Sequence, residues 1–198
     1  MAFQFMPGAT AIGLIYQDGI VLAAEKRITY GNFVVNKNTK KIFSITDQVA
    51  SACAGMVADM QVLTRQVGAL AKIRKLETRR EMATNSVAKL MSVIMFERRY
   101  FPLLTQVIVG GVHDAPEIYT LDPLGSLLPD NYAAVGTGAE LALGVIDSEF
   151  KKNMSEDASK KLAIKAIKSS IQRDSASGDG IDILTITKKG IAEESLNV

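Results

Sequence analysis

The sequence contains a single cysteine and a single histidine among its 198 residues. One cysteine cannot form an internal disulfide, and Cys53 with His113 supplies too few ligands for a structural zinc site. The lone histidine stands in a predicted turn and gives no Ser-His-Asp triad. Cys53 lies in an apolar stretch typical of a buried strand, so we interpret it as a core residue rather than a nucleophile.

Long apolar runs and a large excess of charge of one sign are also absent. No segment approaches the roughly 20 apolar residues of a membrane span, and the start lacks the basic and apolar regions of a signal peptide. The formal net charge is +2, which predicts neither a nucleic-acid partner nor a membrane partner. No glycine-rich phosphate loop or zinc-protease motif indicates a cofactor. We therefore expect a cytoplasmic protein without a cofactor.

The apolar and β-branched residues that are present predict strands and helices in alternating groups. Short strands are expected around the Asp18-Gly19 turn and again from Lys41 to Ala54. Apolar residues then recur every three or four positions, which predicts a long helix and a second one capped by Thr84 or Asn85. Three further strands precede two more helices, the first with Thr137 and Glu140 as a capping box and the second capped by Ser155. A last strand is expected over 181–187.

This order predicts an α+β fold. Runs of strands separated by helix pairs suit antiparallel sheets with helices outside them rather than a parallel doubly wound sheet. No linker-like stretch divides the chain. We expect one domain, a four-layer αββα sandwich in which two antiparallel sheets lie between helix pairs.

Several polar residues stand in otherwise apolar stretches and are candidates for chemistry. Glu25 ends a strand, Lys41 precedes another, and Thr137 opens the third helix. Asp174 and Ser177 follow the fourth helix. Taken singly, each is better explained as an ion pair, a strand-end charge, a turn or a cap than as a catalytic group.

Six short segments resemble the β-type subunits of the archaeal 20S proteasome, which belong to the N-terminal nucleophile hydrolases. Their matching positions run from Gly8 to about Lys189 without a detectable insertion. The segments are Gly8-Ala-Thr-Ala-Ile-Gly13, Glu25-Lys-Arg-Ile-Thr29, Asn36-Lys-Asn-Thr-Lys-Lys41-Ile-Phe, Cys53-Ala-Gly55, Gly136-Thr-Gly138 and Arg173-Asp-Ser-Ala-Ser-Gly178. The last is the most specific of them.

The resemblance implies a threonine protease in which an N-terminal threonine is the nucleophile and its own α-amine is the base. Residues 1–8 would be a leader and 9–198 the protease domain. Glu25 and Lys41 would set the charge beside the nucleophile, and Thr137, Asp174 and Ser177 would bind the amine and hydroxyl. The N–H of Gly55 would stabilise the oxyanion. The implied substrate-binding residues are Ile28, Thr29, Thr39, Phe43, Cys53 and Val57.

The sequence departs from the pattern of this family at one position that affects the expected activity. The nucleophile position holds Ala9, whose methyl group cannot attack a carbonyl or release the leader. Three hypotheses follow: an engineered loss of threonine, a naturally silent subunit that completes mixed rings, or an active protease that uses Thr10. Because side chains alternate along a strand, Thr10 is expected to face away from Ala9.

The resemblance also implies partners. These are other β subunits in seven-membered rings, rings of α subunits, unfolded polypeptide as substrate, and an ATPase regulator.

Overall fold

The computed structural model describes residues 8–197, which form twelve strands and four helices. The strands are β1 Thr10–Tyr16, β2 Gly19–Glu25, β3 Ile28–Tyr30, β4 Phe33–Asn36, β5 Ile42–Ser44, β6 Val49–Gly55, β7 Thr105–Val112, β8 Pro116–Leu121, β9 Leu128–Asp130, β10 Tyr132–Gly136, β11 Ile181–Thr187 and β12 Gly190–Leu196. The helices are α1 Val57–Thr78, α2 Thr84–Glu97, α3 Ala139–Glu149 and α4 Glu156–Arg173.

Two five-stranded antiparallel sheets form the centre of the protein. The first has the order β10-β1-β2-β11-β12 and the second the order β5-β6-β7-β8-β9, while β3 and β4 form a separate hairpin. In the first sheet Thr10 pairs with Gly136, and Glu25 pairs with Ile181. The start of β1 therefore lies beside the ends of β2 and β10.

Three apolar clusters separate the layers. One lies between the two sheets and includes Leu22, Ile108 and Leu184. The second packs α1 and α2 on the second sheet, and the third packs α3 and α4 on the first sheet. Strands β2 and β6 are buried along their whole length, because each is covered on both faces. The predicted four-layer αββα sandwich is confirmed.

Two predicted helix caps are wrong, and one is confirmed. Helix α3 follows Gly138 and has no side-chain cap, because the Thr137 hydroxyl is bonded to Asp174 instead. Helix α2 follows Ala83, so Thr84 and Asn85 lie inside it. In α4 the Ser155 side chain accepts a hydrogen bond from the Ala158 N–H at 3.3 Å, as predicted.

The strands that were missed are short or lie at an edge. The short strand β3 was not predicted, and neither were the edge strands β9 and β12. Their residues are largely exposed, so they lack the apolar alternation that marks a half-buried strand. No helix within residues 8–197 combines the length and apolar composition that crossing a membrane requires.

Candidate active site

Chain segments from both sheets meet at one end of the sandwich. Strand β1 starts there, while β2, β6 and β10 end there. The loop after α4 closes the same end, because the Gly178 carbonyl accepts a hydrogen bond from the Lys26 N–H at 3.1 Å. Residues far apart in the sequence are thereby brought together.

The Glu25 carboxylate is the centre of this arrangement. It is fully buried and accepts four hydrogen bonds from groups in four chain segments. Oε1 accepts from the Thr10 N–H at 3.2 Å and from Lys41 Nζ. Oε2 accepts from the N–H groups of Arg27 at 2.7 Å and Gly178 at 3.0 Å. A buried carboxylate needs such partners to offset the loss of water.

Lys41 is the positive partner of Glu25. Its side chain is 1% exposed and forms an ion pair with Glu25, and Nζ also donates to the Arg27 carbonyl at 2.5 Å. Burial raises the pKa of Glu25 and lowers the pKa of Lys41, and the attraction between the two charges opposes both shifts. The lowered pKa of Lys41 means that its proton is held less tightly than in water.

A chain of hydrogen bonds runs from Ala9 to Thr10, whose backbone N–H connects it to this ion pair. The Ala9 N–H donates to Thr137 Oγ1 at 3.2 Å. The hydroxyls of Thr137 and Ser177 both donate to Asp174 Oδ2, at 2.6 Å and 2.7 Å. The Thr10 hydroxyl lies 2.8 Å from Ser177 Oγ. The structure thus connects all seven predicted catalytic positions in one hydrogen-bond network.

Ala9 and Thr10 direct their side chains to opposite faces of the first sheet, as expected. Ala9 belongs to the apolar cluster between the sheets. The Thr10 hydroxyl is fully buried near Ser177 and Gly138, and a Cβ added to Gly138 would lie 2.2 Å from it. Lys41 has its hydrogen bonds to Glu25 and Arg27, not to this hydroxyl.

Gly55 is the last residue of β6, and the direction of its N–H follows from the pairing of that strand with β5. Two residues earlier, the Cys53 N–H donates to the Lys41 carbonyl at 2.9 Å. N–H directions repeat every second residue in a strand, so the Gly55 N–H points to the same side, past the start of β5. Gly55 has φ +131°, and a Cβ there would lie 2.2 Å from the Leu104 carbonyl oxygen. Only glycine fits this position.

The predicted substrate-binding residues fall into two groups. Phe43 and Val57 are partly buried and pack on the cluster that contains Cys53. Ile28 and Thr29 lie on β3, and the Thr39 N–H donates to the Lys26 carbonyl at 2.9 Å, just before that strand. The first group is mainly apolar, and the second lies beside the Glu25–Arg27 turn.

Cys53 is expected to be unreactive in the folded protein. It is 0% exposed, and burial raises the pKa of its thiol to about 12, whereas thiolate is the reactive form. Titration with Ellman's reagent at pH 8 should detect no thiol in the native protein and one per chain in denaturant. Stoichiometric reaction of the native protein would contradict the buried placement.

Arg27 contributes to the site but was not among the predicted site residues. Its guanidinium donates to Asp179 Oδ2 at 2.6 Å and to the Ser175 carbonyl at 3.1 Å. Its backbone bonds to both Glu25 and Lys41. Arg27 therefore holds the loop after α4 against the end of β2. Its position two residues after Glu25 could have indicated a role in the site. Its contact with Asp179 is visible only in the tertiary structure.

A family model described as "Proteasome subunit" matches residues 6–186. The chain belongs to the proteasome subunit family. It is 62% identical over 190 residues to "Proteasome subunit beta 1" of Nitrosopumilus maritimus, with 96% of each chain covered. The corresponding protein of Cenarchaeum symbiosum is 62% identical over 188 residues, covering 95% of this chain and 97% of that one.

A third relative extends the similarity to the whole chain. "Proteasome subunit beta 2" of Pyrobaculum arsenaticum is 49% identical over 199 residues, covering 100% of this chain and 98% of the relative. Full-length similarity to proteasome β subunits supports the role of a β subunit of the 20S core, within a family of proteases. Membership also implies assembly with other subunits into multi-subunit rings.

Proposed function

We propose that this chain is a threonine-protease-type β subunit whose own centre lacks the nucleophile, so that it forms part of the ring wall without cutting peptide bonds. The observation that carries the proposal is the position of Ala9. Its backbone N–H bonds to Thr137, in the same network as Asp174, Ser177 and the Glu25–Lys41 pair. The methyl group of Ala9 takes the place of the hydroxyl that this network would activate.

With threonine at position 9, the remaining groups have the chemistry for nucleophilic attack. The free α-amine of residue 9 would be the base, hydrogen-bonded to Thr137 and, through Asp174, to Ser177. An α-amine has an ordinary pKa of about 8, so a large fraction is neutral near pH 7.5. The positive charge of Lys41 would favour the ionised hydroxyl, and the Gly55 N–H would bind the oxyanion. Only the reacting group is missing.

Alanine at position 9 should also keep residues 1–8 attached as a leader on the domain 9–198. Release of the leader would require attack on the Gly8 carbonyl by the side chain of residue 9, which Ala9 lacks. Gly8 is buried, and a Cβ added there would lie 2.0 Å from the Ala176 Cβ and 2.9 Å from Thr137 Oγ1. Position 8, which joins the leader to the domain, therefore has no room for a side chain.

The substrate in an active particle would be unfolded polypeptide bound as an added strand. Backbone groups of Thr29 and Gly55 would pair with it. A pocket of Ile28, Thr39, Phe43, Cys53 and Val57 would take an apolar side chain before the cleaved bond. Hydrolysis itself needs no ATP. The proposed partners are β subunits in seven-membered rings, α-subunit rings and an ATPase regulator, in the cytoplasm.

Two alternatives concern the origin of Ala9 and the role of Thr10. An engineered replacement of threonine would leave the same intact network as a natural loss. The version in which Thr10 is the nucleophile is opposed by its buried hydroxyl and by its bond to Ser177 rather than to Lys41. Its N–H is also bonded to Glu25, whereas a base would have to be a free amine.

The decisive experiment treats assembled particles with a peptide epoxyketone and measures the intact mass of each subunit. We expect this chain to retain residues 1–8 and to form no adduct, because epoxyketones require both a hydroxyl and a free α-amine on residue 9. A sibling β subunit with threonine at that position provides the positive control. An adduct on this chain, with Thr10 as its first residue, would refute the proposal and support the Thr10 version.

A further inference from the structure

Gln106 links the two sheets at the end of the sandwich where the candidate site lies. It belongs to β7 of the second sheet and pairs with Ala54, near the end of β6. Its side-chain oxygen Oε1 accepts a hydrogen bond at 2.9 Å from the backbone N–H of Gly136, the last residue of β10. The second sheet is thereby bonded to the first at the residue directly before Thr137.

The position of β10 in its sheet explains why Gly136 needs this bond. Strand β10 lies at the edge of the first sheet, beside β1. An N–H group of an edge strand that points away from its neighbour must find an acceptor outside the ladder or remain unpaired. For Gly136 that acceptor is the Gln106 side chain. The end of β10 is therefore fixed by a side chain from the other sheet.

Gly136 also lies against the backbone of the nucleophile position. It pairs with Thr10 across β1 and β10, and a Cβ added to it would lie 2.0 Å from the Ala9 carbonyl oxygen and 2.8 Å from the Ala54 Cβ. Its φ of +99° is also in the region that favours glycine. A shift of the Gly136 backbone would therefore change the distance between residue 9 and Thr137.

The turn of residues 136–138 is held from two sides. Thr137 is exposed, so packing contributes little to the position of its hydroxyl, which accepts a hydrogen bond from the Ala9 N–H at 3.2 Å. After Thr137, the Gly138 carbonyl accepts from the Ser170 hydroxyl of α4 at 2.8 Å. Before Thr137, the backbone is held by Gln106.

We propose that Gln106 is a positioning residue, which holds the Gly136 N–H and so places the Thr137 hydroxyl against the amine of residue 9. This inference rests on the proposed function, in which that amine is the base of a centre with threonine at position 9. Gln106 acts through Gly136 and not on the substrate. Its loss should slow the chemical step and leave the binding of substrate to Thr29 and Gly55 unchanged.

The test introduces Gln106→Leu into the Ala9→Thr chain and measures hydrolysis of a fluorogenic peptide by particles whose other β subunits have no nucleophile. Leucine has nearly the size of glutamine but no acceptor atom. A misplacement of about 1 Å can cost about 100-fold in rate, so we expect kcat to fall about 10- to 100-fold with KM unchanged. Gln106→Glu keeps an oxygen that can accept the Gly136 N–H and should retain most of the activity.

Two further variants make the test independent of a general loss of folding. Gln106→Asn stays polar but is one carbon shorter, so it should lower kcat as Gln106→Leu does. The matched control is Gln48→Leu. Gln48 is partly buried like Gln106 and also links the sheets, since its side chain donates to the Lys188 carbonyl at 3.2 Å. Because this link precedes β6 and follows β11, it lies at the opposite end of the sandwich, and its loss should leave kcat unchanged.

The outcomes separate this inference from the proposed function. Inactivity of the Ala9→Thr chain itself would overturn the proposed function and the role of Gln106 with it. If that chain is active, an unchanged kcat in Gln106→Leu and Gln106→Asn would overturn the positioning role alone. Equal loss in Gln48→Leu, or no recovery in Gln106→Glu, would do the same, because either result would show that Gln106 acts only through general stability.

Discussion

Replacing Ala9 with threonine should turn this chain into an active, self-processing protease. The hydroxyl would be added to a network in which Lys41 bonds to Glu25 and Asp174 accepts hydrogen bonds from Thr137 and Ser177, while Thr10 joins the two groups. Loss of the nucleophile costs a serine protease about 10⁶-fold in kcat, so we expect the gain in peptide hydrolysis to be at least ~10³-fold. The measurement uses a fluorogenic peptide and particles whose other β subunits have no nucleophile.

The matched control for this experiment is Ala9→Val. Valine has nearly the shape of threonine but no hydroxyl, so it tests whether a larger side chain alone has any effect. Only the threonine variant should lose the mass of residues 1–8, since release of the leader uses the same hydroxyl. Adding Lys41→Met to Ala9→Thr should abolish both the cleavage and the peptide hydrolysis. Equal activity of the threonine and valine variants would contradict the assignment of position 9.

Breaking the buried Glu25–Lys41 pair on one side should have the largest effect on stability. Both side chains are essentially inaccessible to water, so removing one partner leaves the other charge uncompensated. Such a change costs about 3–5 kcal/mol. We expect Glu25→Ala to lower the free energy of unfolding by that amount in urea titrations of the isolated chain. It also leaves the N–H groups of Arg27 and Gly178 without their acceptor.

A double-mutant cycle identifies the cause of this loss. The double variant Glu25→Leu with Lys41→Met should be less destabilised than the sum of its single variants, because no unpaired charge remains. The surface comparison is Lys161→Met, which breaks an ion pair with Asp157 in which both side chains are more than 70% exposed. That change should have no measurable effect. Additive effects at Glu25 and Lys41 would show that the pair is not coupled.

The strands, helices and layers that follow from the spacing of apolar residues could be predicted from the sequence. Strands such as β2 and β6 and helices such as α1 bury continuous or periodic apolar residues, and their order was sufficient to predict the four layers. Edge strands such as β12 were missed because their exposed residues carry no such pattern. The cap assigned to Thr137 was wrong because a tertiary partner, Asp174, lies 37 positions away.

The candidate site could be predicted only through resemblance. Glu25, Lys41 and Thr137 each have an ordinary explanation when taken alone, and nothing in their spacing indicates contact. Their convergence depends on the antiparallel pairing of β1 with β2 and β10. Arg27 was missed for the same reason, since its contact with Asp179 spans 152 positions.

The four hydrogen bonds to Glu25 have a consequence for the timing of folding. Gly178 lies 153 positions after Glu25, and β11, which covers the open side of β2, follows immediately. Until the segment that contains Gly178 joins the fold, the Glu25 carboxylate lacks one of its four donors. The centre is thus among the final parts of the domain to form.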